Sequence, residues 1–488
     1  MPEQENLYAA FQAKDARFDG RVFVGISTTG IYCRPVCRAR QAKAKNCTFF
    51  TSAAEAEQAG YRPCLLCRPE LAPGVAPADA SANLARRAAG LLEQHCGSGL
   101  SLDELAGRLG CTGRHLRRVF MAEYHVTPVA YVQTCRLLLA KQLLTDTSLS
   151  VLDVAMAAGF GSLRRFNELF RRRYHLSPTA LRKKLPVGGG TGQLTLLLGY
   201  RPPYRFAEML RFLAGRAIPG VELVEKDAYQ RTVRLTSGQG RVVTGWLRVS
   251  QRPEKSALAV TMSESLLPAL PRVLARVRQL FDLHCDPAVV SEALAGMNEL
   301  SPGLCAAGLR LPGCFDPFEM SLRAILGQQI TVKAASTLAA RLVAAYGVPI
   351  DTGHAALTHL FPTPDELLAL SGPIDEQLGA LGVLAARSRA IEHLAEGLAA
   401  GHLQLNHSAR PEDEMEKLMA IPGIGPWTAS YVAMRTMGWT DAFLETDAGV
   451  KKALPGRTPK ELLRLVEPWR PWRSYATLNL WNSLYEED

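Results

Sequence analysis

Eleven cysteines occur in this 488-residue chain, and four of them form a pattern with chemical meaning. Cys33 and Cys37 stand in Tyr32-Cys33-Arg34-Pro35-Val36-Cys37-Arg38, and Cys64 and Cys67 in Arg62-Pro63-Cys64-Leu65-Leu66-Cys67-Arg68. C-x3-C followed, after a long gap, by C-x2-C is the ligand spacing of a tetrahedral Zn2+ site built from two short knuckles. Arg34, Arg38, Arg40, Lys43 and Lys45 crowd the same segment. They predict a phosphate backbone pressed against metal-bound thiolates, and thiolates are nucleophiles. A zinc site with a purely structural role is the alternative that spacing alone leaves open.

A second constellation lies near the other end. Leu418-Met419-Ala420-Ile421-Pro422-Gly423-Ile424-Gly425-Pro426-Trp427-Thr428-Ala429 reads as an apolar helix end, a Pro-Gly-Ile-Gly hairpin and a second helix. Gly423 and Gly425 would let backbone N–H groups approach a DNA phosphate, with a helix N-terminus behind them. Such a grip is independent of base sequence. Three acidic residues follow in Asp441-Ala442-Phe443-Leu444-Glu445-Thr446-Asp447, and five of the six tryptophans lie from Trp427 onward. Electron-rich rings hold an extruded, electron-poor base through stacking and cation–π attraction. On local pattern alone Asp447 would serve as a helix N-cap, Asp441 and Glu445 as solvated neighbours, and Trp439, Trp469 and Trp472 as core.

The elements that must carry these residues are legible in outline. Residues 1–186 hold 26 Lys/Arg against 15 Asp/Glu, a net of +11, whereas the remainder is nearly neutral. The N-terminal part is therefore the electrostatic binder of nucleic acid. Pro/Gly-rich stretches at 71–78 and 186–192 mark linkers. Between them a helical pattern repeats. Ser101-Leu102-Asp103-Glu104-Leu105-Ala106, a break at Gly110 and the basic run Arg114-His115-Leu116-Arg117-Arg118 match Ser150-Val151-Leu152-Asp153-Val154-Ala155, Gly159 and Leu163-Arg164-Arg165-Phe166. Each copy ends alike, in Tyr124-His125-Val126-Thr127-Pro128 and Tyr174-His175-Leu176-Ser177-Pro178. Each reads as a helix-turn-helix whose basic helix can enter a major groove, with Arg114, Arg117, Arg164 and Arg165 facing DNA. Strand-like runs at 221–224, 231–235 and 241–246 follow the second linker, and helical patterns persist to the end.

These motifs carry resemblances. Thr28-Thr29-Gly30-Ile31-Tyr32-Cys33-Arg34-Pro35-Val36-Cys37 and Gly60-Tyr61-Arg62-Pro63-Cys64-Leu65-Leu66-Cys67 resemble the N-terminal domain of Ada-type methyltransferase-regulators. That resemblance implies zinc on all four cysteines and Cys33 as acceptor of a methyl group from a DNA methylphosphotriester. The Pro-Cys-His-Arg motif of a second Ada-type acceptor domain is missing from the sequence. Residues 82–185 resemble AraC-type DNA-binding domains. Residues 193–488 resemble 3-methyladenine DNA glycosylase II of the helix-hairpin-helix superfamily, in phrases such as Arg310-Leu311-Pro312-Gly313-Cys314, Arg323-Ala324-Ile325-Leu326-Gly327-Gln328-Gln329 and Pro471-Trp472-Arg473-Ser474-Tyr475. This likeness implies Asp447 as the catalytic carboxylate and Trp427, Tyr431 and Trp481 as the base pocket. It also implies Gln328 and Gln329 on the loop that wedges into the duplex, and a monovalent cation held by the hairpin carbonyls. Trp427 stands where strand-cutting members carry a Schiff-base lysine, which implies base release alone.

The expected fold class is multidomain α+β. It comprises a zinc domain (1–76), an all-α double helix-turn-helix (82–185), a linker (186–192), a mixed α/β subdomain (193–275) and an all-α helix-hairpin-helix domain (276–488). Zinc is the one metal cofactor expected beyond the hairpin cation, with no organic cofactor. Double-stranded DNA is the expected partner, with RNA polymerase for an activator, no membrane, and a monomeric chain. Scattered cysteines and the lack of a signal-peptide pattern predict the cytoplasm. A regulator whose C-terminal half merely clamps DNA is the competing reading.

Overall fold

The computed structural model describes residues 2–15, 18–20, 22–69, 72, 80–97, 100–182 and 192–485. Both predicted linkers lie outside these residues, apart from Ala72 and Gly192. Two compact units result, one formed by Met1–Pro202 with Arg234–Arg278 and Leu283–Asp286, the other by Pro203–Val233 with Gln279–Asp282 and Pro287–Asp488. The subdomain expected at 193–275 is thus shared between them. No helix of the described residues is long and apolar enough to cross a membrane.

In the first unit, a four-stranded sheet assembles the cysteines. Its order is Cys47–Phe50, Phe23–Ile26, Ile31–Cys33, Arg62–Pro63. The last pair is parallel, with Tyr32 opposite Pro63. Cys33 and Cys64 each follow a paired residue, so this register delivers both knuckles to one end of the sheet.

The two predicted helix-turn-helix repeats are Leu102–Arg108 with Gly113–Tyr124 and Val151–Ala157 with Leu163–Tyr174. Their matching tails are stop-and-start signals. His125 and His175 close the basic helices in left-handed conformation, at φ 55° and 53°. Thr127 and Ser177 then accept backbone N–H bonds at the head of the next helix, where Pro128 and Pro178 take a first-turn position that needs no donor. Gln142, on the long helix Pro128–Asp146, donates to the Leu197 carbonyl at 2.8 Å and so fastens the strand Gln193–Gly199.

The zinc domain is joined to this helical scaffold by a buried carboxylate. Glu57, on helix Ala53–Gln58, accepts hydrogen bonds from Tyr32 (3.0 Å), Thr134 (3.1 Å) and Tyr174 (3.2 Å), while Arg173 donates to its backbone carbonyl at 2.8 Å. Nearby, Arg68 pairs with Asp146 at 2.7 Å. Burial pushes the Glu57 carboxyl up to about 7 against the lowering effect of its three hydroxyl donors. The folded state therefore holds the proton more tightly than the unfolded chain. Its stabilising contribution is complete below the ordinary value of 4.5 and is lost as pH rises through about 7. Stability of this unit should fall across that window by roughly 3 kcal/mol at most. In denaturant titrations of the full chain, Glu57→Gln should flatten that slope. An unchanged slope would place the titration elsewhere.

The second unit is mainly helical. Helix Pro317–Leu326 leads to the loop at Gly327–Ile330, and helices Pro411–Met419 and Pro426–Val432 flank the hairpin. A buried ion cluster anchors the first of these. Arg323 binds Glu222 (2.9 Å) and Glu319 (3.0 Å), Arg231 binds Glu319 (2.6 Å), and the Tyr229 hydroxyl donates to Glu222 (2.6 Å). With every carboxylate oxygen hydrogen-bonded, ions otherwise costly to bury are held in one arrangement.

Candidate functional site

Asp447 caps the helix Ala448–Ala453 as its sequence pattern predicts, but it does more. One oxygen, Oδ1, accepts from the amides of Gly449 (2.9 Å) and Val450 (3.1 Å) and from the indole Nε1–H of Trp481 (2.8 Å). Among the described residues Oδ2 has no partner. The carboxylate is thus fixed by one oxygen and keeps the other, half-buried, for a ligand. Gly449 permits this arrangement, since a Cβ there would lie 2.8 Å from the Trp481 ring.

Trp481 is one wall of an aromatic recess. Tyr431 meets it edge-on (6.3 Å, 65°) and stacks on Trp427 (5.3 Å, 14°). Phe212, from helix Phe206–Ala214, stacks near-parallel to Trp481 (6.2 Å, 22°). The structure therefore gathers Trp427, Tyr431, Trp481 and Asp447 as expected and adds Phe212. No sequence signal marked that residue, because a phenylalanine on an amphipathic helix more than 200 positions upstream reads as core. Trp469 and Trp472 are buried, as anticipated. Asp441 is not solvated: Arg470 (2.5 Å) and Arg473 (2.6 Å) both pair with it.

At the hairpin, Gly423 adopts φ +92° and Gly425 heads helix Pro426–Val432. Among the described residues their amide N–H groups have no acceptor. A Cβ on Gly425 would meet nothing within 4 Å, so no neighbour in the fold requires its glycine. The two glutamines of the preceding loop take different parts. Gln328 turns inward, its amide donating to the Gly423 carbonyl (2.8 Å) and the Thr428 hydroxyl (3.1 Å), so it braces the hairpin instead of wedging. Gln329 is exposed, at φ 55°.

In the zinc domain, the Sγ atoms of Cys33, Cys37, Cys64 and Cys67 all lie within 4.8 Å of one another. The amides of Arg34 and Leu66 donate to the sulfurs of Cys67 (3.3 Å) and Cys64 (3.4 Å). Four converging sulfurs with N–H donors fit a tetrahedral Zn2+. Without a cation, contacts with Cys37, Cys64 and Cys67, aided by burial, push the Cys33 thiol far up, so the metal's charge is what would keep that sulfur ionised. Cys33 is only 3% exposed, and Cys67 is the more accessible ligand.

Arg38, Arg40, Lys43 and Lys45 are exposed around the cluster, as are Arg114, Arg117, Arg164 and Arg165 on the basic helices. Arg34 differs from expectation. It is buried in an ion pair with Asp19 and donates to the Cys67 carbonyl at 3.2 Å. A cation immediately after a ligand cysteine reads equally as phosphate contact or as brace, and an acidic partner 15 residues away gives no pattern to choose by.

Fold and sites together define a helix-hairpin-helix base-excision protein that also carries a zinc-centred, helix-turn-helix regulatory part. Family models match in the same order: the metal binding domain of Ada (residues 6–70), a helix-turn-helix domain (105–184), the AlkA N-terminal domain (195–316) and the HhH-GPD superfamily of base excision DNA repair proteins (322–459). The chain is 38% identical over 98% of its length, and 96% of the relative's, to the bifunctional transcriptional activator/DNA repair enzyme AlkA of Mycobacterium tuberculosis. It belongs to that family. DNA-3-methyladenine glycosylase 2 of Escherichia coli is 39% identical over 58% of this chain and 95% of its own. The bifunctional transcriptional activator/DNA repair enzyme Ada of the same organism is 39% identical over 25% of this chain and 34% of its own.

The bond from Trp481 to Asp447 gives a specific expectation. Trp481→Phe keeps a ring in the recess but frees Oδ1 of one donor. Base release in single-turnover assays should fall by about tenfold or more, with DNA affinity changed less than about threefold. Undiminished release would show that the indole bond does not orient the carboxylate.

Proposed function

We propose that Asp447 drives hydrolysis of the N-glycosidic bond of alkylated purines in DNA. The carrying observation is its uncommitted Oδ2 beside the recess of Trp427, Tyr431, Trp481 and Phe212. The hairpin amides of Gly423 and Gly425 hold a phosphate, Gln329 enters the gap in the stack, and the recess takes the extruded base. As the C1′–N bond breaks, the electron pair leaves with the base, and positive charge developing on the sugar is stabilised by Asp447. Water adds to C1′ and loses a proton, which the same carboxylate can accept. With Trp427 in place of a lysine, the product is an abasic site in an uncut strand. No organic cofactor enters this scheme. A monovalent cation on the hairpin carbonyls fits it, with Gly423 already sharing its oxygen with Gln328.

In the other half, the Cys33 sulfur takes the methyl of a DNA methylphosphotriester. A carbon–sulfur bond forms, the methyl–oxygen bond breaks, and the phosphate keeps the electron pair. Zn2+, when bound, keeps the sulfur ionised. Arg38, Arg40, Lys43 and Lys45 bind adjacent phosphates, and the two basic helices read a promoter from successive major grooves. Loss of one thiolate charge lowers repulsion with DNA, so the methylated protein activates transcription by RNA polymerase. The duplicated helix-turn-helix lets a monomer do this, in the cytoplasm. Glycine-rich residues 186–192 divide the regulatory domains at 1–76 and 82–185 from the glycosylase regions at 193–275 and 276–488.

Asp447→Asn should reduce release of methylated purines at least about a hundredfold while DNA is still bound; retained release would remove Asp447 from the reaction. After incubation with methylated DNA, peptide mass mapping should locate one methyl on Cys33 and none anywhere in Cys33→Ser. A methyl on Cys67 instead would make accessibility the deciding factor.

A further inference from the structure

Behind the recess lies an imbalance of charge. Arg435 is buried in the turn Ala433–Met437 that follows helix Pro426–Val432. Its guanidinium donates to the Tyr431 hydroxyl (2.5 Å) and to the carbonyls of Pro312 (2.5 Å) and Gly313 (3.0 Å). Among the described residues it has no carboxylate partner. Arg216, half-buried, has its guanidinium 3.7 Å over the Phe212 ring, donates to the Phe212 carbonyl (3.2 Å) and likewise lacks a carboxylate among the described residues. Arg323 faces Tyr431 from helix Pro317–Leu326, but its charge is matched within the cluster of Glu222, Glu319 and Arg231. Four guanidinium groups thus share two carboxylates. Cys314 beside Arg435 and the phenols of Tyr431 and Tyr229, the latter donating to Glu222, also face them.

A buried cation such as Arg435 without a counter-ion is costly, and its charge would also repel a cationic base. We propose that Tyr431 works as a phenolate, the counter-ion of Arg435, and that its anionic oxygen makes the pocket select positively charged bases over neutral ones. Arg435 is then a positioning residue, holding that oxygen in place and fixing the loop at Pro312–Gly313 behind it. Despite burial of the ring, the guanidinium groups of Arg435, Arg216 and Arg323 hold the Tyr431 phenol below its ordinary range. A phenolate ring is also more electron-rich than a phenol, which strengthens its attraction for a cationic purine stacked nearby.

This inference rests on the reading of the recess as the base pocket, and two readouts separate them. The first is the near-ultraviolet absorbance of tyrosinate, titrated on the full-length protein without DNA. Wild type should show one tyrosinate signal appearing well below the usual tyrosine value of about 10, absent from Tyr431→Phe. It should return upward in Arg435→Met and be kept in Arg435→Lys. The second is single-turnover excision of 7-methylguanine, a cation, against hypoxanthine, which is neutral. Tyr431→Phe should slow the former by about tenfold and the latter less than about twofold, and should flatten the rise of the ratio with pH. Absence of the early tyrosinate signal, or equal slowing of both bases, overturns the proposal. If wild type releases neither base, the pocket reading fails while the titration still decides the state of Tyr431.

Discussion

A carboxylate that must face a developing cation has two conflicting needs: it has to be held still, and it has to keep charge available. In the role proposed for it, Asp447 would meet both by using its oxygens unequally. Oδ1 takes two amides of the helix it caps and the Trp481 indole, and Oδ2 is left for chemistry. The surrounding geometry follows from this division. Trp481 must lie over the helix start, so residue 449 has to be glycine. Phe212 and Tyr431 then pack around the indole, and the recess acquires its walls as a result of orienting the acid.

The hairpin shows the same economy at backbone level. The phosphate grip proposed for it would use amides that no described protein group claims, which is stable only where solvent or DNA reaches them. Gln328 ties the Gly423 carbonyl to the loop ending helix Pro317–Leu326, and the Arg387 guanidinium holds the Gln328 carbonyl at 2.5 Å. Because that helix is pinned through Glu319 to Arg231 and through Arg323 to Glu222, the hairpin and the exposed Gln329 share a single rigid support. Polar groups that cost free energy to bury gain their use by leaving few alternative arrangements.

What could be read from the sequence, and what could not, divides along range. The cysteine spacing, the duplicated Tyr-His-x-(Thr/Ser)-Pro tails and the Pro-Gly-Ile-Gly hairpin each encode local backbone geometry, and each took the predicted form. Helix boundaries in the repeats were legible because caps and prolines act within four residues. Asp447 is legible as an N-cap from its neighbours, whereas the catalytic role proposed for it comes only through resemblance. Partners distant in sequence escaped. Arg34 reads as a surface cation but pairs with Asp19, Asp441 reads as solvated but pairs with Arg470 and Arg473, and Gln328 turns inward because Thr428 and Gly423 lie across the fold. Glu57, an ordinary glutamate in an alanine-rich helix, gave no hint that Tyr32, Thr134 and Tyr174 converge on it.

That convergence has a geometric meaning beyond stability. Tyr32 precedes Cys33 in the chain, and Tyr174 is the last residue of the second basic helix. One carboxylate therefore ties the strand of Cys33 to the second basic helix, and the Arg68–Asp146 pair joins Arg68, next to Cys67, to the long helix Pro128–Asp146. In the DNA-binding roles proposed for them, the strand and the basic helix would act as the jaws of a gauge with a set opening. On a duplex that turns once in about ten base pairs, such a gauge measures angle as well as length. A damaged phosphate half a turn out of phase with the bases being read is as far out of reach as one much farther along the strand.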